Sequence, residues 1–569
     1  MTVQKPLPHD AARLHVTGAA RYVDDIPTPR GTLHLAFGLS TIASGRITRI
    51  DLDAVRSAPG VVGVWEAKDL PSDCDCSPSA HDEPMLSGAT IHYLGQPVFL
   101  VAATSHLAAR KAARLGSIDY AKRDAILTID DALAADARFE EGPRIWEKGD
   151  AGEAIDTAPH QIAGEIEIGG QEHFYLEGQS AMALPQEGGD MVVHASTQHP
   201  TEIQHKVAHA LGMPMHAVRV ETRRMGGGFG GKESQGNALA IACAVVAAKT
   251  GLPAKMRYDR DDDFMITGKR HDFRVGYRVG FDDDGIIRGI EFEHHTRCGW
   301  AQDLSLPVAD RAMLHADNAY HLPHARIESH RLKTNTQSAT AFRGFGGPQG
   351  MLGIERVMDH IAHDLGKDPV AVRQANFYAS GVEGALPPAP AAPPRGISSP
   401  KKTEGDLMSR GSEELVEGTD AQPAMAQQTT PYGQVVEDFV LDDLSDTLLK
   451  TSDYAERRTK VAAWNAENAV IKRGLAFSPV KFGISFTLTH LNQAGALVHV
   501  YQDGSIHMNH GGTEMGQGLF QKVAQVAAAR FGVSIDMVKI TATDTGKVPN
   551  TSATAASSGS DLNGMAVKA

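Results

Sequence analysis

Gly226-Gly227-Gly228-Phe229-Gly230-Gly231-Lys232-Glu233 follows a strand-like segment, Ala217 to Thr222, and precedes a helix-like one, Ser234 to Thr250. Bare backbone between a strand and a helix lets a ligand approach the amides closely. Three readings compete. Gly226, Gly228 and Gly231 satisfy the dinucleotide spacing G-x-G-x-x-G, but no acidic ribose partner occurs from Ala248 to Met256. Gly226, Gly231 and Lys232 satisfy G-x-x-x-x-G-K, yet Glu233 stands where a phosphate loop needs a hydroxyl for magnesium. In the third reading the amides bind an anionic cofactor while Glu233 is aimed at a substrate. Its plain alternative makes Glu233 an exposed carboxylate in the first turn of a helix.

The loop has a distant counterpart. Ile203, Ala208, Leu211, Gly212, Val218, Arg219 and Val220 align, at an offset of 320 residues, with Val523, Ala528, Phe531, Gly532, Val538, Lys539 and Ile540. Each copy reads as a helix closed by Gly, a strand, then a loop of small residues; the second loop is Thr551 to Gly564. The pattern predicts two halves of one cofactor cradle.

Around this repeat, 569 residues suggest about three or four folding units at roughly 150 residues each. Strands around Leu33 to Phe37 and Val61 to Trp65, the run Gly95 to Ala103 and a helix-like Leu107 to Leu115 predict a small domain over residues 10–130. The first cradle half is expected over 150–379 and the second over 433–569. Between them, six prolines from Pro387 to Pro400 and a polar, charged stretch predict a flexible linker over 380–432.

Composition excludes several functions. With 55 basic against 69 acidic residues, a net charge of −14 and no basic stripe, nucleic acid is not an expected partner. No apolar run approaches the ~18 residues that cross a membrane, and no leader pattern opens the chain, so a cytoplasmic protein is expected. Cys74, Cys76, Cys243 and Cys298 lack zinc or iron–sulfur spacing; Cys74 and Cys76 read as loop thiols and Cys243 as core packing. Asp259 to Asp263 reads as a solvated turn, His173 as a structural histidine, and Arg311 by itself as a surface ion pair with Asp310 or Asp303. In Thr340 to Gln349, Arg343 between two phenylalanines suggests a turn holding a guanidinium and an exposed ring. Small residues in Gly511 to Gly518 and Thr551 to Asn563 suit a phosphate or pterin.

In this order the motifs resemble the molybdopterin-binding subunits of the xanthine oxidase family of molybdenum hydroxylases. The resemblance runs from Val16-Thr17-Gly18 through Gly170 to Glu177, Gly226 to Glu233, Thr340 to Gln349 and Lys481 to Val500 up to the chain end. It implies an α+β fold: a small N-terminal α/β hammerhead-type domain, then a two-part molybdopterin-binding domain with an internal repeat. It implies that Gln198 hydrogen-bonds an oxo ligand of molybdenum and that Gly228, Phe229, Arg343 and Ala556 surround the cofactor near the metal. Gln517, Ala555 and Ser557 would contact the pterin, whose dithiolene would hold molybdenum without a side-chain ligand. Phe345 and Phe486 would sandwich a planar purine, and Thr487 would hydrogen-bond it.

Glu233 and Arg311 resemble the xanthine dehydrogenase branch and not the aldehyde oxidases, and would be the catalytic pair. The resemblance then implies hydroxylation of hypoxanthine and xanthine to urate in purine catabolism. Electrons would pass through 2Fe–2S clusters and FAD on a partner subunit to NAD, in a heterotetramer. An aldehyde- or N-heterocycle-oxidising relative and a noncatalytic assembly fragment are the alternatives. The family's general-base Glu, in a Gly-Glu-Pro-Pro-like segment, has no match here, since Gly152-Glu153 and Gly164-Glu165 lack the prolines. A C-terminally truncated chain, inactive alone, is therefore expected.

Overall fold

The computed structural model describes residues 3–71, 74–378, 428–437 and 439–569. As far as residue 427, the expected linker lies outside the described residues. At its C-terminal end, Thr429 bridges to Val435 and its carbonyl accepts from Lys148 Nζ at 2.7 Å. Among the described residues, no helix is long and apolar enough to cross a membrane.

Three sequence units share one eight-stranded sheet. Its order is Thr543–Asp544, Val218–Thr222, Met191–Ala195, Ser180–Pro185, Ala254–Arg257, Leu33–Leu39, Pro97–Ala103 and Val61–Glu66. The hammerhead joins the first cradle half where Leu33 and His34 pair in parallel with Ala254 and Lys255. The second half joins at the far edge through Glu221 with Asp544 and Thr222 with Thr543. All seven residues of Pro97–Ala103 are buried, which suits a near-continuous apolar strand covered on both faces. Against this sheet lies the helix Asn237–Thr250, buried almost throughout, as a helix that is apolar on every side must be.

A five-stranded sheet, in the order Arg144–Lys148, Ala325–Lys333, Ile287–Gly299, Asp272–Phe281 and His160–Ile168, forms a second layer. Its inner face, including Phe273, Phe281, Phe292 and Ile327, packs on Ile354, Val357 and Ile361 of the helix Gly347–Leu365.

The internal repeat is present in three dimensions. In the first half, Met191–Ala195 leads to the helix Pro200–Leu211, a left-handed Gly212, a 3-10 turn at Met215–Ala217 and the parallel strand Val218–Thr222. In the second, Ile506–His510 leads to Leu519–Phe531, a left-handed Gly532, a 3-10 turn at Ile535–Met537 and the parallel strand Val538–Ile540. Each glycine closes its helix at positive φ, where a side chain would be strained.

Candidate functional site

Glu177 holds the first glycine-rich loop from beneath. Its Oε2 accepts from Gly226 N at 2.8 Å, Ser196 Oγ at 2.8 Å and Lys232 Nζ at 3.1 Å. Lys232 is fully buried, and its other donors reach Glu177 O at 2.7 Å and Ser196 Oγ at 2.8 Å. An ammonium has three hydrogens, so none remains for a phosphate. The phosphate-loop reading therefore fails on geometry as well as on Glu233. Burial also holds the Lys232 pKa below its ordinary value.

Gln198 joins the two small-residue loops. Its Oε1 accepts from Gly230 N at 2.9 Å, its Nε2 donates to Thr554 O at 3.0 Å, and its carbonyl accepts from Thr554 N at 2.8 Å. One Nε2 hydrogen is left over. Gly228 is required here, because a Cβ on it would lie 2.6 Å from Gln198 Oε1. Two backbone bonds extend the ring: Arg343 N donates to Phe229 O at 2.9 Å, and Ser485 N to Ala556 O at 2.9 Å.

Backbone strain gathers at this ring. Phe229, Phe345, Ser485, Ala556 and Ser557 have φ of 55°, 52°, 83°, 55° and 57°, the left-handed region that L side chains avoid. Each costs on the order of 1–3 kcal/mol, and such costs persist where surrounding structure imposes them. The strained turns leave amides free. Among the described residues, the N–H groups of Gly227, Gly228, Phe229, Ala555, Ala556 and Ser557 donate no hydrogen bond. The second trio also lies against the start of the helix Gly559–Lys568, whose N-terminal end carries partial positive charge. Six open donors and a helix N-terminus fit an anionic pterin cofactor.

Arg311 is buried on the helix Ser305–Leu314. Its Nη1 and Nη2 donate to the carbonyls of Gly483 and Ser485, and among the described residues it has no carboxylate partner. The surface-pair reading is corrected: Asp310 is held by Arg144 and Arg331, and Asp303 by Ser234 and Gln235. Adjacent helical residues diverge, so Asp310 faces away from its neighbour. The guanidinium lies 5.9 Å from the Phe345 ring centroid and 5.6 Å from that of Phe482.

Glu233 is buried and precedes the helix, which begins at Asn237 instead of Ser234; the exposed first-turn alternative is overturned. No hydrogen bond reaches its carboxylate among the described residues. Burial, and then the charge of Asp303, pushes its pKa up to about 8, so it is a neutral acid at pH 7. No hydrogen bond or ion pair joins it to Arg311 among the described residues. Their link is indirect, through Ser234 Oγ, which donates to Asp303 Oδ1 at 2.6 Å just before the helix that carries Arg311.

Phe345 and Phe486 are buried beside Leu304, Val308, Ala555 and Ala556. Their rings meet at 85° with centroids 5.9 Å apart. One ring can stack on a flat ligand while the other presents its edge. Thr487 Oγ1 donates to Pro307 O at 3.3 Å and retains its acceptor lone pairs.

Three family models match the chain. They describe an aldehyde oxidase and xanthine dehydrogenase a/b hammerhead domain at residues 17–124, and molybdopterin cofactor-binding domains at 136–377 and 447–569. Xanthine dehydrogenase of Drosophila subobscura is 40% identical over 99% of this chain and 39% of its own length. Xanthine dehydrogenase/oxidase of Gallus gallus is 40% identical over 100% of this chain and 38% of its own length. The chain belongs to the molybdopterin-binding xanthine dehydrogenase family. It spans about two fifths of the length of these curated relatives. Solved structures share the fold: the Desulfovibrio desulfuricans aldehyde oxidoreductase superposes with a TM-score of 0.81 at 23% identity, covering 99% of this chain and 59% of that one. For the Cu,Mo-CO dehydrogenase the TM-score is 0.80 at 19% identity, over 100% of this chain and 71% of that one.

Within this family's cradle, several sequence readings need correction. The guanidinium over Phe342 belongs to Arg270, 3.9 Å from the ring centroid; Arg343 points to solvent and offers its backbone. Asp259–Asp263 is no solvated turn: Asp263 is fully buried and accepts from Tyr175 Oη at 2.6 Å and Gln179 N at 3.2 Å. Cys74 and Cys76 are buried in the core with Cys243. His173 is structural as expected, donating from Nε2 to Ala341 O at 2.7 Å, with burial lowering its pKa to about 4. Gln517 closes its own loop, donating to Thr513 O at 2.9 Å and accepting from Met515 N at 2.7 Å.

Glu177, Lys232 and Glu514 went unnoticed as supports. Glu514 accepts from the amides of Gly516, Gly518 and Phe520, and its carbonyl accepts from Met225 N at 2.8 Å, tying the second loop to the first. A carboxylate amid glycines was the available signal.

Proposed function

We propose that this chain is the molybdopterin-binding, substrate-oxidising part of a xanthine dehydrogenase that hydroxylates hypoxanthine and xanthine to urate. Electrons leave to 2Fe–2S clusters and FAD on a partner subunit and then to NAD, in a heterotetramer. One observation carries the purine reading: Arg311 is a buried cation without a counter-ion among the described residues, set beside two perpendicular phenylalanine rings.

The molybdenum–pterin group, when bound, supplies two-electron oxidation with water as the oxygen source. Open amides at 227–229 and 555–557 hold it, with Gln198 and Arg343 beside them and Gln517 towards the pterin. Phe345 stacks on the purine, Phe486 limits it edge-on, and Thr487 accepts a hydrogen bond from it. As charge builds on the ring, Arg311 stabilises it at a purine carbonyl oxygen, a term that a dry site enlarges. Glu233, protonated at neutral pH, donates a hydrogen bond to a ring nitrogen.

In the complete enzyme, Arg311→Met should lower kcat for xanthine by about 10²–10³-fold while molybdenum content is retained. Unchanged xanthine turnover would reject the role. Faster turnover of aldehydes than of purines by the wild-type enzyme would transfer the site to an aldehyde oxidoreductase.

A further inference from the structure

Between Glu233 and Arg343 in sequence, Glu-x-His occurs twice, as Glu293-His294-His295 and Glu328-Ser329-His330. The two copies lie on adjacent parallel strands, with Glu293 opposite Glu328 and His295 opposite His330. Side chains two residues apart share a sheet face, so all four stand on one side. The opposite side carries Phe292 and Ile327 into the core.

Three of the four groups converge, and Glu328 lies beside one of them, His330. His295 Nε2 is 3.2 Å from Glu293 Oε1, His330 Nε2 is 3.6 Å from the same oxygen, and His330 Nε2 is 2.8 Å from Glu328 Oε1. One ligand atom from each of Glu293, His295 and His330 lies within 4.8 Å of the others. Tetrahedral zinc with bonds near 2 Å sets its ligand atoms about 3.3 Å apart, close to this spacing. The imidazoles stack with centroids 4.9 Å apart and planes 15° from parallel, and both Nε2 atoms lie within 3.6 Å of Glu293 Oε1.

We propose that Glu293, His295 and His330 bind a zinc-like divalent cation that clamps the two strands together, with Glu328 beside His330. The charge inventory favours it. Arg138 holds Asp136, Arg274 holds Asp130 and Arg326 holds Glu328 and Glu147, while Glu293 meets no lysine or arginine among the described residues. His295 is 7% exposed and its Nδ1 has no partner, so its bonding is directed through Nε2. Two imidazoles and one carboxylate, with water as the fourth ligand, suit zinc or cobalt(II) over calcium or magnesium.

Two contacts oppose the ion and sharpen the test. Glu328, its Oε2 held 2.6 Å from Arg326 Nη1, sets its Oε1 2.8 Å from His330 Nε2 and competes for that nitrogen. Arg138 Nη1 donates to His330 Nδ1 at 3.2 Å, which requires the proton on Nε2. A metal on Nε2 moves that proton to Nδ1, where Arg138 cannot receive it. Arg138→Gln replaces a donor with an amide oxygen that can, so this variant should bind more tightly, by about tenfold, as expected for an outer partner of a ligating histidine.

The test is equilibrium dialysis of the cofactor-loaded protein against Zn²⁺ and Co²⁺, with metal per chain counted. Relative to His295→Gln/His330→Gln, the wild type should hold one additional ion, and its Co²⁺ form should show intense tetrahedral absorption that the double variant lacks. His9→Ala, at a second His–carboxylate cluster, should leave the count unchanged. Equal metal in wild type and double variant, an octahedral Co²⁺ spectrum of the wild type, or weaker binding by Arg138→Gln would each overturn the proposal; the wild-type spectrum decides even if the double variant misfolds.

Discussion

Glu177→Gln exchanges one oxygen for NH₂ and removes one charge, yet it should loosen the whole first loop. The carboxylate faces three donors within 3.1 Å, and Lys232 beside it has a side chain with no solvent exposure. An amide oxygen facing these three donors carries no charge, and its new NH₂ meets Val23 N, which donates to Oε1 at 3.3 Å in the wild type. The buried ammonium then lacks a counter-charge, a loss of about 3–5 kcal/mol. Glu177 is itself 10% exposed, so water can reach the edge of the pair, and the lower end, about 3 kcal/mol, is expected. That corresponds to roughly 10²-fold more frequent opening of the loop. Hydrogen–deuterium exchange of the Gly230 to Glu233 amides reads this locally, and molybdenum per chain reads its consequence. Lys232→Met removes the stranded cation while keeping an apolar stem, so Glu177→Gln/Lys232→Met should exchange more slowly than Glu177→Gln alone. Strictly additive effects in this cycle, within about 0.5 kcal/mol, would refute the claim that the ion pair supports the loop.

Gly230→Ala places a Cβ 2.6 Å from Ala341 O at a φ of 99°, so both strain and a backbone clash apply. It should reduce molybdenum content severely while far-UV circular dichroism stays near wild type. Burial raises the Glu233 pKa from 4.5 to about 8, so the folded state binds this proton more tightly than the unfolded one. Its contribution is complete below about pH 4.5 and is lost as pH rises through about 8. Urea midpoints across that window should therefore fall more steeply for wild type than for Glu233→Gln, and parallel profiles would contradict a buried neutral acid.

Local chemistry carried much of the fold into the sequence. Gly212 and Gly532 end helices because only a residue tolerant of positive φ closes them cheaply, and that requirement made the repeat visible at an offset of 320 residues. The run Pro97–Ala103 could be read as a strand because full burial needs unbroken apolar side chains. The glycines of 226–231 announced close approach to a ligand for the same steric reason.

Partnership was not legible, because it depends on which distant groups the fold brings within hydrogen-bond range. Asp310 is adjacent to Arg311 in sequence, yet the helix turns it towards Arg144 and Arg331. Asp263 looked solvated until Tyr175 and Gln179 closed over it. By itself the sequence determined where backbone must bend and which segments must be buried, since those follow from each residue's own sterics and polarity. Only the tertiary structure decided that Gln198 spans both loops, that Arg311 has no counter-ion among the described residues and that Glu233 stays protonated, because desolvation and pairing are properties of surroundings assembled from the whole chain.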